Sequence, residues 1–160
     1  MHDVKALVAS TSVLTGLIAR LGAATLCPLA QGFALLPITD TVAREIAATQ
    51  TSAEREHALV PDIAGGLASL AKQLSQTGPV AYISTEYFGG AGGQDAIVWE
   101  EARVILQLSS EGVEWPNSPV SQALRAIGIK AEDGKDEFDT VGLGTHRSTD
   151  RWASAHGASS

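Results

Sequence analysis

Two runs of strand-forming residues, Val80 to Phe88 and Gln94 to Trp99, flank the linker Gly89-Gly90-Ala91-Gly92-Gly93. Strand, glycine-containing turn and strand in that order predict a hairpin. A third run, Arg103 to Leu108, follows the turn Glu100-Glu101-Ala102 and extends the hairpin into a three-stranded antiparallel meander. Alternation places Val80, Tyr82, Ser84, Glu86 and Phe88 on one face of the first strand. Upstream, Val4 to Ala9 reads as a short strand. It leads into a helix that Ser10, Thr11 or Ser12 can cap and Gly22 can stop, with Val13, Leu14, Leu17, Ile18 and Leu21 as its apolar stripe. Ala24 to Ala30 and Phe33 to Thr39 surround Gln31-Gly32 as a second hairpin, and Pro28 and Pro37 confine these strands to an edge or a bulge.

Thr39 or Asp40 then caps a helix with Val42 and Ile46 on one face. The polar stretch from Thr49 to His57 reads as an exposed connection. A longer helix follows from about Asp62 to Gln76, with Ile63, Leu67, Leu70, Ala71 and Leu74 inward, ended by Gly78-Pro79. After the meander, Ser118-Pro119 opens a helix to about Ile127 that Gly128 closes, since proline suits the first helical turn. Phe138, Val141 and Leu143 return to the core, a short helix is capped by Ser148 or Thr149 and pinned by Trp152, and residues 153–160 read as a disordered tail. The whole predicts one α+β domain over residues 1–152. Its antiparallel sheet has about five strands, including the meander at 80–108, with helices mainly on one face.

Composition narrows the functional classes. At 160 residues the chain buries roughly 70% of its extended surface on folding, enough for a core without a metal or disulfide staple. Cys27, the single cysteine, lies among apolar neighbours and reads as a buried structural thiol. With 11 Lys and Arg against 18 Asp and Glu the net charge is −7 and no basic run occurs, which disfavours direct nucleic-acid binding. The apolar stretch from Ala6 to Ile18 is interrupted by Thr11, Ser12, Thr15 and Gly16 and has too weak a basic start for a signal peptide, so a cytoplasmic protein without a membrane partner is expected.

Candidate chemistry is sparse. The glycine cluster precedes a strand rather than a helix and lacks a phosphate-binding lysine, so no nucleotide cofactor is expected. His2, His57, His146 and His156 show no metal-ligand spacing. Glu86, among aromatic neighbours, would serve as a general acid or base if buried beside Asp95 or His146, and as a surface residue otherwise. Glu132, Asp133, Asp136, Glu137 and Asp139 place five carboxylates in eight residues without the EF-hand pattern, and read as a solvated loop.

With Tyr82, Glu86-Tyr87-Phe88-Gly89-Gly90, Gly92-Gly93-Gln94 and Val98-Trp99, plus Asp136-Glu137-Phe138-Asp139 and Gly142-Leu143-Gly144, the chain resembles small bacterial proteins of the polymorphic-toxin immunity type. That resemblance implies a stoichiometric inhibitor that occludes the active site of a cognate toxin, with no catalytic residues of its own. An acidic protein suits a basic partner, because complementary charge speeds encounter. On this basis the interface would comprise Glu86, Tyr87, Glu132, Asp133, Asp136, Glu137 and Asp139, with Tyr87, Trp99 and Trp115 as anchors if exposed. Two alternatives stand beside it: a small enzyme using Glu86 with Asp95 or His146, and an adaptor or dimer pairing through an open sheet edge.

Overall fold

In the computed structural model, which describes residues 2–18, 25–48, 65–88, 91–110, 119–134, 137–142 and 148–157, the strand-forming runs build a single six-stranded antiparallel sheet. Its strands are β1 (His2–Ser10), β2 (Cys27–Pro28), β3 (Phe33–Pro37), β4 (Val80–Phe88), β5 (Ala91–Glu100) and β6 (Arg103–Ser110), in the spatial order β2-β3-β1-β4-β5-β6. The helices are α1 (Thr11–Ile18), α2 (Asp40–Ala48), α3 (Gly65–Leu74), α4 (Pro119–Ala126), α5 (Glu137–Thr140) and α6 (Thr149–Gly157). The polar connection at 49–57, the first turn predicted for α3 at 62–64, the turn at 111–117 with Trp115, and His146 with Arg147 lie outside the described residues.

Both hairpins form, but the β4–β5 hairpin has a shorter connection than the five-residue linker predicts, since β5 begins at Ala91 opposite Phe88 and takes Gly92 and Gly93 into the ladder. Ala30, Gln31 and Gly32 form the three-residue loop that turns β2 into β3, closed by the Leu29 N–H donating to the Phe33 carbonyl at 2.8 Å, with Gln31 and Gly32 in the left-handed region at φ of 64° and 81°. Pro28 sits in a two-residue edge strand, where its missing donor costs nothing. The meander β4-β5-β6 is present with Glu86 opposite Gly93 and Trp99 opposite Val104.

The helices occupy both faces of the sheet, where the sequence pattern suggests mainly one. The cause lies in the central strands, whose two alternating sets are both apolar. Leu7, Tyr82, Ile97 and Trp99 point to one side and are covered by Val13 and Leu14 of α1, Val42 and Ile46 of α2 and Ala71 of α3. Val4, Ala6, Val8, Ile83, Ala96 and Val98 point to the other and meet Val120, Ala123 and Leu124 of α4 together with Trp152 of α6. A strand covered on both sides loses the apolar-in, polar-out alternation that would betray one wet face. Gly78 lies where an added Cβ would stand 2.8 Å from Val13 Cγ2, so the chain leaving α3 passes too close to α1 for any side chain. Helix α6 runs through Gly157, into the stretch expected as a tail. Among the described residues no helix is long and apolar enough to cross a membrane.

The ends of the elements are tied by side chains distant in sequence. Gln94 Oε1, buried in β5, accepts from the Val120 backbone N–H at 2.9 Å, satisfying a free donor in the first turn of α4 behind Pro119. Thr39 and Ser148 cap α2 and α6 by accepting from the N–H groups of Val42 and Arg151, each at 3.2 Å.

The β5–β6 turn is made by two residues without the glycine such a turn favours. Glu101 and Ala102 have φ of 52° and 63°, and the end of α3 holds them there. The Ser75 carbonyl accepts from Glu101 N–H at 3.0 Å and Ser75 Oγ accepts from Ala102 N–H at 2.9 Å. Ala102→Gly is therefore expected to raise stability by about 1 kcal/mol, since a left-handed residue with a Cβ costs about 1–2 kcal/mol and glycine returns part of that as chain entropy. Ser75→Ala should lower stability by about 1–2 kcal/mol through the orphaned Ala102 N–H. Urea midpoints of the two variants check both signs.

Candidate functional site

On the face that carries α1, α2 and α3, the apolar core formed by the described residues reaches as far as the row of Leu7, Tyr82 and Ile97. Beyond it the strands continue with polar side chains. Register aligns Lys5, Ser84, Asp95 and Ser109 in one cross-strand row and Asp3, Glu86 and Gly93 in the next. Ser109 Oγ donates to Asp95 Oδ1 at 2.6 Å, Ser84 is buried, and Glu86 is exposed.

Two helix beginnings border this end of the sheet. Strand β3 leaves β1 after Ala6 pairs with Pro37, with Ile38 N–H donating to the Lys5 carbonyl at 2.8 Å. The chain before α6 takes up the flank of β1. Ser148 bridges to Asp3, and Lys5 N–H donates to Thr149 Oγ1 at 2.9 Å. Thr149 Oγ1 in turn donates to the Asp3 carbonyl at 3.4 Å. Asp3, Lys5, Ile38, Thr39, Asp40, Ser148, Thr149 and Asp150 thereby line an open polar cleft of about 230 Å³. Asp40 and Asp150 stand in the first turns of α2 and α6, where the helix dipoles favour negative charge. Together with Glu86 and Asp95 they form an acidic surface in which Lys5 is the cation at the cleft among the described residues.

The acidic residues singled out from sequence are distributed differently from one another. Glu86 belongs to this surface, and Tyr87 follows it in β4, opposite His2 and Gly92. Glu132 and Asp133 are exposed beyond α4, the helix packed on the other face. Glu132 N–H donates there to Thr140 Oγ1 at 2.9 Å, while the Gln31 side chain bonds both the N–H and the C=O of Lys130 at 3.0 and 2.8 Å. Asp139 lies in α5, and Asp136 is outside the described residues.

Glu137 departs from the expected solvated loop. It is 3% exposed and takes two hydrogen bonds from Arg125, Nε to Oε2 at 2.9 Å and Nη2 to Oε1 at 3.2 Å. The hydrogen bonds and the charge of Glu137 raise the pKa of the Arg125 guanidinium above its ordinary value. This forked pair joins α4 to α5, so Glu137 holds the fold and is not offered to a partner.

The carboxylates considered for catalysis are not assembled as a dyad. Glu86 faces Asp3 and Gly93 in the register, while Asp95 faces Ser84 and is engaged by Ser109. Among the described residues no group of three His, Cys, Asp or Glu side chains could hold a metal ion.

Cys27 is fully buried, with Sγ donating to the Trp152 carbonyl at 3.4 Å, and burial pushes its thiol pKa from 9.0 up to about 12. The thiol should resist alkylation at pH 8 in the native protein and react at full rate in urea. Because the folded pKa is the higher one, the buried thiol adds no pH dependence below about pH 9. From there to about pH 12 stability should fall, as the unfolded chain releases a proton that the folded chain retains. Cys27→Ala should remove that alkaline increment in a pH series of urea melts.

No family model matches the sequence, and no curated protein and no solved structure matches it either.

Asp3, Lys5, Asp40 and Asp150 had no motif to announce them. They meet because β1 lies inside the sheet and because α2 and α6 both begin beside its first residues. Local spacing carries no trace of either.

Proposed function

We propose that this chain is a stoichiometric binding protein whose partner presents a basic protein surface, with the immunity-type resemblance naming a bacterial toxin domain as the kind of partner. The observation that supports it is the acidic end of the sheet, where Asp3, Asp40 and Asp150 line the cleft with Lys5 and where Glu86 and Asp95 stand in the neighbouring strand rows. Carboxylates fixed on strands and helix ends keep their geometry at little entropic cost on binding, and their summed field steers a cationic partner into place. The cleft is shallow and polar rather than the enclosed, mainly apolar pocket that small-molecule chemistry favours.

The resemblance also fixes the test. The protein encoded beside this chain is co-expressed with it in a bacterial host. The proposal expects growth arrest by the neighbour alone, rescue by this chain, and loss of rescue when Asp3, Glu86 and Asp150 are together changed to Lys. A neighbour that is harmless alone, or rescue that survives the triple reversal, would contradict it.

A further inference from the structure

We draw no further inference here: the strongest candidate, the surface patch of Val104 and Ile105 on strand β6 at the end of the described sheet, is an apolar face for which nothing in the structure shows what covers it.

Discussion

Changing Glu137 to Lys is expected to cost about 3–5 kcal/mol, whereas changing its neighbour Asp133 to Lys should move stability by no more than about 0.5 kcal/mol. The two residues belong to the same acidic stretch, and only the structure separates them. Glu137 is nearly inaccessible and neutralises Arg125 through two hydrogen bonds, so lysine there would place two cations against each other with one of them cut off from water. Asp133 is exposed. The milder Arg125→Ala should cost about 2 kcal/mol or more, because it leaves a buried carboxylate without its donor. Glu137→Gln, which keeps an acceptor for the guanidinium, should cost less than Arg125→Ala. Urea denaturation of the four variants checks the order. Equal effects of Glu137→Lys and Asp133→Lys would mean that α5 does not dock as described.

The second large effect concerns the two-sided core. Trp99→Ala on the α1–α3 face should destabilise by about 3–5 kcal/mol, and Leu124→Ala on the α4 face by about 2–5 kcal/mol. Both side chains are at most 1% exposed, so each substitution opens a cavity in a closed layer. At this chain length about 1 kcal/mol corresponds to roughly 2–4 °C, which puts the fall in Tm for Trp99→Ala at roughly 6–20 °C. The sheet separates the two sites, so the double variant should show the sum of the single effects to within about 0.5 kcal/mol. Strong coupling, or a mild Leu124→Ala, would contradict packing on both faces.

The α+β class and the meander were legible because their signals are local. Gln31-Gly32 and the glycine linker mark turns, Thr39 and Pro119 mark helix starts, and alternation marks strands. What escaped depends on contacts remote in the chain. The insertion of β1 between β3 and β4 is a choice among strand pairings that no local pattern encodes. The second helical layer was hidden by the doubly apolar central strands. The Glu101-Ala102 turn carries no glycine because Ser75, from another element, supplies the hydrogen bonds that stabilise it. Carboxylate density pointed to Glu132–Asp139 as the acidic face. The structure instead assembles Asp3, Asp40, Glu86, Asp95 and Asp150 from three strands and two helices, and Glu86 alone was singled out in advance as a partner-binding residue.

The central claim is that the acidic end of the sheet recruits a basic partner. Stopped-flow association with the adjacent gene product, for wild type and for the Asp3→Lys, Glu86→Lys, Asp150→Lys triple variant, tests it most directly across a salt series. The account predicts an association rate at least about ten-fold lower for the variant at low ionic strength, with the two rates converging as salt screens the field and circular dichroism unchanged. Association rates equal at every salt concentration would contradict it.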